Sequence, residues 1–196
     1  MRDSNERPSY QLCLTVAATD HLGQRMRGPD DEAANPKYAH LEIERRWLVN
    51  PAAVEGLALD QPIAIHDRYI ERTRLRLRRM THGSQTVLKL TRKYECPDPM
   101  ARPIVTAYLS PEEYEVLAAL PALVLEKTRF RARHDGLDYC VDRFAGALAG
   151  LWTAEIEMTD LAALRAVDAP PWTLGDITED ARYQGATLAR LGLPKE

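Results

Sequence analysis

The sequence predicts an α+β fold built on a mainly antiparallel sheet, and three observations carry that prediction. About eight segments alternate apolar and polar side chains at the two-residue period of a strand. Few helical stretches separate them, so the text does not read as a strand–helix repeat. The charges on these strands are also sorted by sign, whole strands being basic or acidic.

The elements follow in order. Residues 1–37, rich in Asp, Gly, Pro, Asn and Arg, read as a loosely attached, poorly ordered N-terminal extension in which only Leu12–Ala18 suggests order. From residue 38 to 196 the text is dense enough for one domain. His40–Val49 sets Leu41, Ile43 and Trp47 against Glu42, Glu44 and Arg46, a strand pattern. Asn50-Pro51 supplies an N-cap and a first-turn proline for a short helix through Ala58. Ile63–Ile70 is a second strand and leads into Glu71-Arg-Thr-Arg-Leu-Arg-Leu-Arg-Arg79. There Arg72, Arg74, Arg76 and Arg78 take every second position, which on a strand places four guanidinium groups on one face. Met80–Ser84 makes a turn, and Gln85–Lys93 returns with Lys89, Thr91 and Lys93 on one face. Cys96–Pro103 reads as a loop and Ile104–Leu109 as a strand. Ser110-Pro-Glu-Glu113 is a capping box for a helix ending near Pro121. Leu123–Arg133 is a basic strand, Asp135-Gly136 a turn, and Leu137–Phe144 the strand that follows. Leu151–Met158 carries Glu155 and Glu157, Thr159 and Asp160 cap a helix to about Ala166, and Thr178–Leu191 closes the chain as a helix.

Composition narrows the function. A net charge of −3 argues against a general nucleic-acid binder. Cys13, Cys96 and Cys140 are odd in number and lack metal-type spacing, which fits a reducing, cytoplasmic setting. No apolar run approaches the length of a membrane span. Leu12–Ala18 is short and follows Glu6 and Pro8, against a signal peptide.

The chemistry lies in the sorted charges. Alternating charge on any one half-exposed strand is usually only a solvated face. Like charges aligned on one face repel, however, and need an anionic counterpart. Two basic strands, a third with Lys89 and Lys93, and two Glu-x-Glu pairs on separate strands suit one arrangement. Converging carboxylates hold a hard divalent cation, and the arginines and lysines clamp a chain of phosphates. If the sheet closes, the charged faces line a lumen and the apolar faces pack outward.

At these residues the chain resembles a known family. His40-Leu-Glu-Ile-Glu-Arg-Arg-Trp-Leu-Val49 is similar to the ExExK signature of the CYTH superfamily, the triphosphate tunnel metalloenzymes. Leu125-Glu-Lys-Thr-Arg-Phe-Arg131, Val141-Asp-Arg-Phe-Ala-Gly146, Gly150-Leu-Trp-Thr-Ala-Glu-Ile-Glu157 and Asp176-Ile-Thr-Glu-Asp-Ala-Arg-Tyr183 resemble its later motifs in the same order. The resemblance implies an eight-stranded antiparallel closed β-barrel, or tunnel, with flanking helices. It implies Mg²⁺ or Mn²⁺ as cofactor, with Glu42, Glu44, Asp142, Glu155 and Glu157 as metal ligands or their neighbours. Arg74, Arg76, Arg78, Lys89, Lys127 and Arg129 would bind substrate. Arg46 stands where the family has its signature lysine, and Tyr69 resembles a strand tyrosine implicated with that lysine in activating water. Arginine keeps the charge, but its pKa is too high for proton transfer.

The implied activity is metal-dependent hydrolysis of inorganic tripolyphosphate or another compact triphosphate. A class IV-type adenylyl cyclase and a non-catalytic triphosphate- or polyphosphate-binding module are the alternatives. The expected partner is a triphosphate-containing small molecule, with no nucleic acid duplex and no membrane; a homodimer is left open.

Overall fold

A computed structural model describes residues 38–54 and 56–195. The N-terminal extension and its Leu12–Ala18 segment lie outside the described residues. The chain runs β1 (His40–Val49), α1 (Pro51–Val54), β2 (Asp60–Ile70), β3 (Leu75–His82), β4 (Gln85–Lys93), β5 (Ala101–Tyr108), α2 (Pro111–Ala118), β6 (Ala122–His134), β7 (Leu137–Phe144), β8 (Trp152–Glu157), α3 (Leu161–Arg165), β9 (Thr173–Asp176) and α4 (Gly185–Leu191).

The sheet closes on itself. Its order is β5-β4-β3-β2-β6-β7-β8-β1, and β1 also pairs with β5, so eight antiparallel strands form a barrel. β9 adds to the far end of β1 through Trp47, Leu48 and Val49. Closure removes the edges that an open sheet would leave unpaired. Local chemistry sets the turns. Asp135 and Gly136 both take positive φ, 49° and 78°, as a two-residue type I′ hairpin between β6 and β7 requires. Ser110 and Glu113 form the reciprocal capping box that starts α2.

Strand alternation builds two apolar zones. Outside the barrel, Ile43, Trp47 and Val49 of β1 pack with Tyr139, Val141, Ala154 and Ile156, together with Leu164 of α3 and Trp172. The Trp47 and Tyr139 rings meet edge to face at 6.1 Å. On the inward face, Leu125 and Phe144 join Leu148, Leu151, Leu48, Tyr69 and Tyr183, and α4 lays Leu188 and Ala189 against them. One end of the barrel is thus filled with apolar side chains beneath α4. Among the described residues no helix is long and apolar enough to cross a membrane.

Several element boundaries differ from the sequence expectation. The arginine strand begins at Leu75, because residues 71–74 make the β2–β3 turn. Arg72 sits there at φ 59°, and the Thr73 hydroxyl donates to the Ile70 carbonyl while accepting from the Leu75 amide. β5 starts at Ala101 inside the expected loop, and the Pro103 carbonyl still accepts from the Tyr94 amide. α1 stops at Val54 rather than Ala58. The closing helix is split: Asp180 caps a 3-10 turn over Ala181–Tyr183, and α4 follows from Gly185.

Candidate functional site

The lumen beyond the apolar end is lined by paired charges. β1 and β8 are neighbours in the ring, so Glu42, Glu44 and Arg46 lie beside Glu155 and Glu157, with Glu44 opposite Glu157 and Arg46 opposite Glu155. The basic residues face them from β3, β4 and β6. β2 separates β3 from β6 and contributes Asp67, while β7 contributes Asp142 between β6 and β8. The sorting by strand therefore survives in the ring, with a single carboxylate set into each basic stretch.

Asp67 is 1% exposed and accepts two hydrogen bonds from Arg78, at 2.6 and 2.7 Å, with Arg76 3.9 Å away. Burial alone would raise its pKa, but the Arg78 charge and hydrogen bond, helped by Arg76 and Lys127, bring it down to about 2. Asp142, equally buried, accepts from Arg129 Nε and Nη2 at 2.7 Å each and from Lys127 Nζ at 2.5 Å. Those two cations override burial and hold its carboxyl well below the usual range. Arg129 also reaches Glu155 at 2.8 Å, so it bridges β7 and β8. Burial, with Arg129 and Arg78 nearby, lowers the Lys127 ammonium despite its bond to Asp142.

The β1 carboxylates share one ammonium. Lys93 Nζ contacts Glu42 and lies 3.1 Å from Glu44 Oε1. Burial raises the Glu42 pKa, and the charges of Glu44 and Glu155 raise it further. Burial also pushes Glu44 up, but Lys93 and Arg46 outweigh it and keep that carboxyl low. Two carboxylates thus share a single primary amine.

Arg46 has a structural commitment. Its Nη1 donates to the Tyr183 carbonyl at 3.1 Å, and its backbone amide donates to Thr178 Oγ1 at 2.9 Å. Asp176 orders the same closing segment from outside the lumen, accepting from the Thr178 amide and hydroxyl and from Arg45 Nε at 2.6 Å. Tyr69 faces Gly185 at the start of α4, where a Cβ would collide with its hydroxyl. Burial, reinforced by Asp67, raises the Tyr69 pKa above its ordinary value, so the phenol is protonated at neutral pH.

The structure brings Glu42, Glu44, Asp142, Glu155, Arg76, Arg78, Lys127 and Arg129 together in the lumen, with Arg46 and Tyr69 near α4. Arg74 and Glu157 stand apart from that cluster, while Lys89, opposite Arg78 in the strand register, turns toward Tyr108. Arg74 lies in the β2–β3 turn, 54% exposed, and pairs with Glu95 at 2.7 Å. Lys89 rests over the exposed Tyr108 ring, 5.1 Å from its centroid. Glu157 is 61% exposed, near His40 at 3.8 Å. Sequence reasoning missed Asp67 and the reach of Lys93. Each had a faint signal: Asp67 falls at the inward spacing two residues before Tyr69, and Lys93 shares the face of Lys89 and Thr91. Among the described residues no three His, Cys, Asp or Glu side chains form a ready coordination shell. The donor chemistry nevertheless suits a hard divalent cation. Glu42 and Glu44 converge on one positive group and Glu155 stands close, an oxygen-donor set of the kind hard cations take.

No family model matches the chain. It is similar to an inorganic triphosphatase of Acetivibrio thermocellus, 29% identical over 160 residues that cover 76% of this chain and 93% of the relative. A second relative, an inorganic triphosphatase of Nitrosomonas europaea, is 39% identical over 71 residues, covering 36% of this chain and just under half (46%) of that protein's length. A crystal structure described as the inorganic triphosphatase NE1496 superposes with a TM-score of 0.52 at 28% identity, over 79% of this chain and 97% of that one. The closed eight-stranded ring, the charged lumen and these relatives give one conclusion: the chain has the CYTH-type triphosphate tunnel fold.

Proposed function

We propose that this protein hydrolyses a compact triphosphate, inorganic tripolyphosphate first among them, inside the barrel. The observation that carries the reading is the lumen itself. Arg46, Arg76, Arg78, Lys93, Lys127 and Arg129 share one enclosed space with Glu42, Glu44, Asp67, Asp142 and Glu155. These charges nearly cancel, so the side chains alone do not neutralise a triphosphate, and a divalent cation entering with the substrate would. Two relatives named inorganic triphosphatase support the same substrate class.

Glu42 and Glu44, with Glu155 beside them, would hold Mg²⁺ or Mn²⁺. The ion, when bound, would polarise a phosphoryl group and lower the pKa of water. Arg76, Lys127 and Arg129 would clamp phosphate oxygens, the guanidinium groups by paired hydrogen bonds. Asp67 and Asp142 hold Arg78, Arg129 and Lys127 in place before substrate arrives, which reduces the reorganisation needed on binding. Tyr69 would donate a hydrogen bond, and the apolar end beneath α4 would exclude water. Cys96 and Cys140 are free thiols, in keeping with a cytoplasmic protein.

Phosphate release from tripolyphosphate, ATP and thiamine triphosphate, each with Mg²⁺ or Mn²⁺, tests this reading. Release from tripolyphosphate is expected; cyclic nucleotide from ATP would point instead to a cyclase. One observation favours a second reading, a triphosphate-binding module without turnover: Arg46 is spent on the Tyr183 carbonyl and cannot shuttle a proton. Tight triphosphate binding by calorimetry with no phosphate release under either metal would establish that alternative.

A further inference from the structure

Lys93 reaches Glu42 and Glu44 across the lumen. It belongs to β4, whereas β1 is hydrogen-bonded to β5, β8 and β9, so the lysine spans an intervening strand to meet them. Opposed side chains on adjacent strands are close, so the nearest cation for these carboxylates would come from β5. The adjacent candidate exists and is used elsewhere. Arg102 stands opposite Glu42 on β5, yet its guanidinium goes to the Pro99 carbonyl and to Gln184. The ammonium is thus placed between two carboxylates that a strand neighbour leaves unpaired, with Glu155 adding negative charge nearby.

We propose that Lys93 is a tethered stand-in for the divalent cation, neutralising Glu42 and Glu44 in the metal-free lumen and surrendering both carboxylates when the ion arrives. The inference rests on the reading that these carboxylates hold the metal. One compact ammonium on a flexible four-carbon stem suits the task, because it can leave without moving the backbone. An ammonium and a metal ion cannot occupy the same pair of oxygens, so Lys93 competes directly with the metal. Once displaced it is repelled by the new charge and is free to donate to a phosphate oxygen. Metal and triphosphate then favour each other's binding, and by linkage the coupling is reciprocal.

The test is a titration of Mn²⁺ alone, with free Mn²⁺ followed by electron paramagnetic resonance, on the wild type and on Lys93→Met. Removing the competitor should tighten Mn²⁺ binding roughly tenfold, a change of ~1.4 kcal/mol. The same variant should lose most of the gain in tripolyphosphate affinity that Mn²⁺ confers on the wild type. A wild type that binds no Mn²⁺ overturns the metal reading itself. A wild type that binds Mn²⁺ while Lys93→Met binds it equally or more weakly overturns the role of Lys93 alone. Lysine acetylation of the wild type, read by mass spectrometry with Lys195 as reference, tests the same point without a variant. Mg²⁺ should raise the modification of Lys93, and an unchanged or lower yield contradicts its displacement.

Discussion

Replacing Asp67 by asparagine tests how the lumen is held together. The carboxylate accepts two short hydrogen bonds from Arg78, and both groups are almost wholly inaccessible to water. Its pKa falls from 3.8 to about 2 on folding, a shift that contributes about 2–3 kcal/mol at neutral pH. The amide fills the same volume but leaves Arg78 buried beside a neutral group, and breaking a buried pair from one side costs ~3–5 kcal/mol. Asp67→Asn should therefore lose roughly 3 kcal/mol in urea unfolding at pH 7, followed by tryptophan fluorescence. The pH dependence has a fixed sign. A depressed carboxylate pKa contributes stability that is complete above its unfolded value and disappears as pH falls through the folded one. The gap between wild type and variant should be constant above about pH 5 and shrink between about pH 4 and 2. Because Arg78 is left without its anion, tripolyphosphate should stabilise the variant more than the wild type. A variant within ~0.5 kcal/mol of wild type at pH 7, the range of an ordinary surface substitution, would refute the reasoning.

The remaining predictions concern the β1 carboxylates and the α4 plug. Glu44→Ala should reduce metal-dependent phosphate release by on the order of 100-fold or more while leaving the melting temperature nearly unchanged, since it also relieves repulsion on Glu42. A variant with near-normal release at saturating Mg²⁺ contradicts that placement. Gly185→Ala should cost ~1–3 kcal/mol, because the new methyl group meets the Tyr69 hydroxyl under α4. Adding Tyr69→Phe should recover much of the loss, and strict additivity would show that the two residues do not touch. Arg46→Lys places a group that titrates within the assay range beside Glu44, so its pH–rate profile should gain a limb that wild type lacks. Superimposable profiles would separate residue 46 from the reacting phosphate.

The ring of strands was largely legible in the sequence, since period-two alternation reports directly which residues share a face. The acidic β1 and β8 strands and the basic β6 strand were readable for the same reason. The arginine strand was overextended because alternation continues through Arg72 and Arg74, whereas the chain turns there. Thr73 hydrogen-bonds locally and Arg72 adopts positive φ, neither of which perturbs the periodic pattern. Asp67 was overlooked because a lone aspartate among Ile63, Ile65 and Tyr69 has no local sign of its partner, which arrives from the next strand. Lys89 and Lys93 share a face in the sequence, but period two cannot rank residues along that face to show which meets the β1 carboxylates. Height within the barrel decides it, and that depends on strand stagger. The split of the closing helix, with its contacts from Arg46 and Arg102, was invisible for the same long-range reason.

Phosphorus NMR of tripolyphosphate incubated with the protein and Mg²⁺ or Mn²⁺ tests the central claim most directly. Cleavage in the lumen predicts orthophosphate and pyrophosphate appearing together in equal amounts at early times, with no reaction when metal is chelated. A tripolyphosphate spectrum that stays unchanged at substrate excess, under both metals, would contradict it.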